Sequence, residues 1–312
     1  GGREVGGLAN LLSAHRDLAN ARHRAEVAAL WGVPQVPDKP GKTAVEMFQA
    51  AADGEIRALW IACTNPAQSM PDQRTVRRAL ERCEMVIVQE AFATTATCAY
   101  ADLLLPATTW GEKTGTVTNS ERRISRVRTA VPAPGAARHD WSAVVDFAHR
   151  LEALLPSRQS LPTLFPYSLD SEAGAEAIWN EHRESTRGRD LDITGLSWSM
   201  LDSDGPQQWP CPADTAGAGS DNGRPRQFSK ARLYEDGVFP TPDGRARFVA
   251  APYQATAEQR EPRYPFSLNT GRLRDQWHGM SRTGTLGRLF GHVSEPVVQL
   301  HPQDMAQRSL KD

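Results

Sequence analysis

The 312-residue chain carries 36 Lys and Arg against 37 Asp and Glu, a net charge of −1. That balance offers no global electrostatic case for nucleic acid or an anionic membrane, and no apolar run approaches the ~18 residues needed to span a bilayer. Hydrophobic residues make up 39% and allow a packed core, whereas 22 prolines and a mean hydropathy of −0.51 point to abundant irregular, solvated chain.

The length suits about two domains. The opening Gly1–Gly7 has neither the charged start nor the apolar middle of a signal peptide, and the chain does not begin with Met, so a processed, excised or partial chain is expected. Cys63, Cys83, Cys98 and Cys211 stand far apart with no CxxC pair. That spacing argues against a zinc or iron–sulfur site built within the chain, and it fits a reducing, cytoplasmic compartment.

In chain order, residues 8–31 read as a helix that Asp17 or Asn20 caps or interrupts, ending at Trp31-Gly32. Pro34, Pro37 and Pro40-Gly41 force an extended loop, and a short helix follows from Thr43 to Ala52, closed by Asp53-Gly54. Three short apolar strands are expected at Arg57–Cys63, Glu84–Gln89 and Ala101–Pro106, with a helix from Pro71 to Arg82 between the first two. Strands alternating with helices mean a parallel sheet in an α/β domain, which binds ligands in the crevice at its carboxyl edge. Trp141–Leu155 is a further amphipathic helix and residues 172–186 another. Residues 156–172 and 202–227 are rich in Pro, Ser, Gly and Asp, with a mobile loop expected at 213–224. Short β-type runs at Tyr264–Asn269 and Pro296–Leu300 mark the start of a separate β-rich domain.

Four segments carry candidate chemistry. Cys63–Pro71 joins strand to helix, where small polar residues and free amides can meet a phosphate or pterin; an ordinary strand–helix turn is the plainer account. Asp102 opens a buried strand, and its two oxygens can accept the two N–H groups of a guanine edge, or simply cap a loop. Trp110–Arg123 mixes Gly, Thr and Asn with Lys113, Arg122 and Arg123, the composition of an anion-holding loop but also of a solvated charged turn. Thr270-Gly271-Arg272 allows close backbone approach to a ligand beside a five-donor fork, whereas the lone His278 is by type more often structural. Neither a nucleophilic triad nor a metal-spaced His cluster is visible.

The order of these segments is more specific than any one of them. Thr64-Asn65-Pro66, Gln89-Glu90, Tyr100–Pro106, Trp110–Thr116, Asn119–Arg123, Trp209–Pro212, Phe239–Phe248 and Asn269–Arg272 together resemble the molybdopterin oxidoreductase family. Within it, Gly2–Asn10 and Arg272–His278 look most like assimilatory nitrate reductases. The resemblance implies a Rossmann-like α/β cofactor domain over 43–150, after a connecting segment at 1–42. It further implies an irregular, α-rich connection over 151–262 and the truncated start of a dinucleotide-binding β-barrel at 263–312. The implied cofactor is bis-molybdopterin guanine dinucleotide with molybdenum, reducing nitrate to nitrite with electrons from a donor protein or reductase subunit.

Carried over by motif, Asn65 touches the cofactor, Gln89 and Glu90 lie at the ribose and guanine end, and Lys113 and Asp140 contact the same nucleotide. Thr270 through Gly279, including Gly271, Arg272 and His278, wraps the other pterin and its pyrophosphate. Asp102 and Glu90 both remain open as the guanine acid. The family's 4Fe–4S portion and its molybdenum ligand are expected outside this chain, which would then bind cofactor without turning over substrate. A formate dehydrogenase large subunit shares the scaffold and the Trp-Pro-Cys-Pro region. A non-redox nucleotide-binding domain is the reading from the α/β sheet alone, and it leaves Thr270-Gly271-Arg272 unexplained.

Overall fold

The computed structural model describes residues 11–213, 232–271, 273, 287–290, 293, 295 and 297–311. They divide into two compact units, residues 1–248 and 249–312.

The first unit begins with a two-stranded antiparallel pair, β1 (Leu11–Leu12) and β2 (Arg16–Asp17), and the helix α1 (Ala21–Trp31). The expected helix over 8–31 is therefore shorter. Ala14 and His15 take positive φ (55° and 59°), which no helix tolerates. Buried Arg16 bonds Glu26 at 2.8 Å and the Ser185 carbonyl at 2.8 Å, holding the hairpin in place of a helix. Asn20 caps α1 by accepting from the Arg22 and His23 N–H groups, and Gly32 ends it in the left-handed region. The next helix, α2 (Ala44–Asp53), opens on a capping box between Thr43 and Glu46.

A parallel sheet follows, built from β3 (Ala58–Ala62), β4 (Met85–Glu90) and β5 (Leu103–Pro106) in that order. Between β3 and β4 lie the one-turn α3 (Pro66–Ser69) and α4 (Gln73–Arg82), capped by Asp72. Strand alternation sorts the side chains. Ile61, Val86 and Val88 point to one face and pack with Phe48, Ala51 and Ala52 of α2 and with Val76, Ala79 and Leu80 of α4. Val86 and Val88 are fully buried, contributing about 1.5–3 kcal/mol each. Trp60, Ile87 and Gln89 point to the other face.

Much of Trp110–Arg123, expected as an anion-holding loop or charged turn, goes into an antiparallel hairpin instead. Its strands are β6 (Gly115–Thr118) and β7 (Arg123–Val127), and Asn119 Oδ1 builds the turn by accepting from the Glu121 and Arg123 N–H groups. After it come α5 (Asp140–Leu154), α6 (Ser171–Ser185), α7 (Trp198–Ser203) and β8 (Gln207–Gln208), which pairs with β7. The region expected as an irregular connection thus holds a second core. Ile124, Trp179, Ile193, Leu196, Trp198 and Trp209 pack together, with Trp141 against them. Most of the expected loop at 213–224 lies outside the described residues.

In the second unit, no strand forms among the described residues of the expected runs at 264–269 and 296–300. Tyr264 makes one isolated bridge to Glu261, and the regular elements described are the helices α8 (Gly287–Phe290) and α9 (Pro302–Gln307). No closed barrel occurs among the described residues. A strand needs a run of hydrogen-bonding neighbours, and beyond the single Tyr264 bridge these runs find none among the described residues. Leu268 and Val298 are accordingly 94% and 81% exposed.

Candidate functional site

The carboxyl edge of the parallel sheet gathers a polar cluster from four separate places in the chain. Gln89 comes from the end of β4, Cys63 from the residue after β3, Lys113 from the link between β5 and β6, and Asp140 from the first turn of α5. Lys113 Nζ donates to Asp140 Oδ2 at 3.0 Å. Gln89 Nε2 donates to Asp140 Oδ1 at 3.0 Å and to its backbone carbonyl at 3.1 Å. The Cys63 thiol lies 3.6 Å from the same Oδ1.

The electrostatics follow from these contacts. Burial raises the Asp140 carboxyl, but hydrogen bonds from Lys113 and Gln89 and the lysine charge outweigh it and hold the group below the ordinary range. The N-terminal turn of a 15-residue helix favours the same anion. Partial shielding of its sulfur, then the neighbouring Asp140 carboxylate, push the thiol of otherwise exposed Cys63 upward, so it stays a neutral donor. Cys63 also adopts φ +59°, a conformation unfavourable for a residue with a side chain and one that concentrates at functional sites. Lys113 sits 5.5 Å from the centre of the Trp110 ring.

Two buried polar atoms at this edge have no partner among the described residues, Thr108 Oγ1 and His139 Nδ1. Their backbones run side by side, since the Thr108 N–H bonds the Arg138 carbonyl one residue before His139. Burial, and then Lys113, lower the His139 pKa and keep the ring neutral. Buried groups of this kind call for a hydrogen-bonding ligand or water. An anionic, acceptor-only carboxylate beside a half-buried ammonium and two unsatisfied polar atoms fits a group that carries both phosphate and a donor-rich base.

The remaining candidates are distributed unevenly. Glu90 lies next to Gln89, and its Oε1 accepts from the Ala91 and Phe92 N–H groups at 2.8 and 3.4 Å. Asn65 is close along the chain but turned inward. Its Oδ1 accepts from the Thr97 N–H at 3.1 Å and the Thr97 hydroxyl at 2.6 Å, and its Nδ2 donates to Gln68. Asp102 is at the far end of the sheet, where its carboxylate accepts from the Val86 N–H at 2.7 Å. Thr270 and Gly271 are exposed residues of the second unit, while Arg272, His278 and Gly279 lie outside the described residues.

Sequence reasoning missed Trp60, whose Nε1 donates to Gln89 Oε1 at 3.2 Å and whose ring meets Phe147 of α5 edge-on at 5.1 Å. The available signal was strand parity, which sets Trp60 and Gln89 on one sheet face. It also missed His139, Thr108 and the thiol of Cys63 as parts of the same edge.

Comparison with known proteins gives a consistent result. Residues 2–150 match the family model described as molybdopterin oxidoreductase, and residues 266–312 match the molydopterin dinucleotide binding domain. The chain is 40% identical over 314 residues to a nitrate reductase of Klebsiella oxytoca, covering 99% of this chain and 33% of that protein. It is 34% identical to the assimilatory nitrate reductase catalytic subunit of Bacillus subtilis, covering 100% of this chain and 41% of the relative. With the periplasmic nitrate reductase of Desulfovibrio desulfuricans the identity is 33%, over 100% of this chain and 40% of the relative. The chain therefore spans about a third to two fifths of the length of these relatives.

Proposed function

Because the chain belongs to the molybdopterin oxidoreductase family, with the matching domain at 2–150 and a dinucleotide-binding domain at 266–312, we propose that it forms cofactor-holding walls of a molybdenum-dependent nitrate reductase. The observation that carries this reading is the convergence of Gln89, Lys113 and Asp140 at the sheet's carboxyl edge, inside the first matched region. The group to be held is bis-molybdopterin guanine dinucleotide, which when bound supplies the two-electron, oxygen-transfer chemistry that takes nitrate to nitrite.

The chain's own residues bind and orient. Asp140 offers lone pairs to the N–H groups of a guanine edge, and Lys113 offers its ammonium protons to phosphate or ribose oxygens. Glu90, with one oxygen turned to its own backbone, has the other for ribose hydroxyls. His139 and Thr108 complete the lining with the two buried atoms that have no partner among the described residues. The segment Thr270–Gly279 holds the second pterin and its pyrophosphate. Asp102 takes no part in guanine binding in this reading, because its carboxylate serves the opposite end of the sheet.

A 4Fe–4S cluster and the molybdenum ligand belong to the remainder of a relative-length protein, and residues 1–312 alone bind cofactor without turnover. Electrons come from a donor protein or reductase subunit. The four cysteines are free, which supports a reducing, cytoplasmic setting, and no described helix is long and apolar enough to cross a membrane.

The test is molybdenum content with methyl viologen-linked nitrate and formate assays on the full-length protein. Nitrate reduction with bound molybdenum is expected. Formate oxidation without nitrate reduction would replace this reading with a formate dehydrogenase, and the absence of both molybdenum and activity would overturn it.

A further inference from the structure

We propose that Trp60 is a positioning residue of the nucleotide site, acting through the side-chain amide of Gln89 on Asp140. The proposal rests on the reading of this edge as a guanine-nucleotide site.

Gln89 is 2% exposed, so its amide cannot turn to water for partners. Its Oε1 accepts from the Trp60 indole N–H at 3.2 Å. Its Nε2 donates to the Asp140 carbonyl at 3.1 Å and to Oδ1 at 3.0 Å. An indole N–H can only donate and a carboxylate can only accept. Turning the amide over would set its NH2 against the indole N–H and its oxygen against the carboxylate, so one orientation survives. Trp60 thereby commits the Gln89 NH2 to Asp140, which holds the carboxylate from behind while Lys113 holds it from the side.

Strand geometry makes the reach possible. In the β3–β4 register Trp60 lies opposite Ile87 and Ala62 opposite Gln89, all on one sheet face. The tryptophan therefore lies one same-face position back from Gln89, and only a long side chain with a donor at its tip spans the gap. Phe147 packs edge-on against the indole and fixes its plane. Trp60 touches no ligand in this arrangement; its effect is carried entirely by one amide.

The test is a double-mutant cycle on GDP affinity, measured calorimetrically on cofactor-free full-length protein with Trp60→Phe, Gln89→Leu and the double variant. Phenylalanine keeps an aromatic ring against Phe147 and removes only the donor. Trp60→Phe is expected to weaken GDP binding by about threefold to tenfold, the size of one lost hydrogen bond. In the Gln89→Leu background the same change should have no further effect, since the amide it orients is gone. A tryptophan serving only as packing would give equal losses in both backgrounds, and that result, or unchanged GDP affinity in Trp60→Phe, overturns the proposal.

Gln89→Glu tests the relay without touching the tryptophan, should phenylalanine prevent folding. It keeps an oxygen toward the indole but turns a second oxygen on Asp140, and a larger loss of GDP affinity than in Trp60→Phe is expected. Unchanged affinity there overturns the proposal as well. Wild-type protein that binds no GDP overturns the nucleotide reading itself, which distinguishes that failure from failure of the relay alone.

Discussion

Lys113 Nζ lies 3.0 Å from Asp140 Oδ2, joining the chain just before β6 to the first turn of α5 across 27 residues of sequence. The two side chains are 23% and 33% exposed, so the pair is partly shielded yet still reachable by a ligand. Its charge complementarity decides what the sheet's carboxyl edge can hold.

Asp140→Asn keeps the shape but removes the anion and one acceptor. Hydrogen bonds to charged groups contribute about 1.5–3 kcal/mol, so GDP affinity should fall roughly tenfold to a hundredfold. Calorimetric titration of cofactor-free protein measures it, and an affinity within twofold of wild type would remove Asp140 from the site.

The same pair predicts a pH dependence. Although burial raises the Asp140 carboxyl, the bonds from Lys113 and Gln89 leave its folded pKa depressed. Its contribution to stability is therefore complete above the unfolded value near ~3.9 and is lost as pH falls through the lower folded value. Lys113→Met should destabilise by under about 1 kcal/mol at pH 7, after allowance for solvent screening. The difference from wild type should shrink at an acid pH below the depressed folded value, where the carboxylate protonates. Thermal melts at the two pH values test this, and a pH-independent difference would point to lysine packing instead.

Asn65 should be a structural residue. Asn65→Leu leaves the N–H and hydroxyl of fully buried Thr97 without their acceptor. The expected destabilisation is about 1–3 kcal/mol with GDP affinity little changed. Urea unfolding and GDP titration separate the two effects, and lost affinity at unchanged stability would restore Asn65 as a cofactor contact.

Gly174 couples the second core to the site. A Cβ there would stand 2.1 Å from the Ser168 carbonyl oxygen and 2.3 Å from the Trp141 ring. Gly174→Ala should lower stability by about 1–3 kcal/mol. Because Trp141 adjoins Asp140 in the first turn of α5, GDP affinity should drop too. A variant with wild-type melting temperature would contradict the packing.

The cysteines supply a footprint. Cys63 is exposed beside Asp140, whereas Cys211 is fully buried with its thiol pushed up to about 11 by burial and Asp192. At pH 8 a thiol reagent should label Cys63, more slowly than a free cysteine because its thiol is held protonated, and should spare Cys211 until unfolding. GDP should protect Cys63, and peptide mapping of the labelled protein reads both outcomes. Labelling of Cys63 that ignores saturating GDP would place the ligand elsewhere.

Local signals in the sequence were sufficient for much of the first unit. Apolar runs bounded by polar turns located β3, β4 and β5. Thr43, Gly54 and Gly32 marked helix ends, because a cap bonds or bends within a few residues of itself. Gln89, Glu90, Lys113 and Asp140 were named as candidates through motif order, and the structure sets Gln89, Lys113 and Asp140 in one hydrogen-bonded group.

What the tertiary structure alone decided rests on partners far apart in the chain. Trp110–Arg123 looks like a polar loop until Gly115–Thr118 pairs with Arg123–Val127, and Arg123 and Ile124 in turn pair with Gln208 and Gln207. The helix expected from residue 8 yields to a hairpin because Arg16 finds the Ser185 carbonyl. Asn65 and Asp102 carry polar groups suited to a ligand, but Thr97 and the Val86 N–H engage them first. Trp60 carries no motif at all, and its bond to Gln89 exists only once β3 and β4 lie in register. Periodicity and capping are short-range effects that a sequence states directly; which buried polar atom satisfies which is a long-range choice, made only when the chain closes on itself.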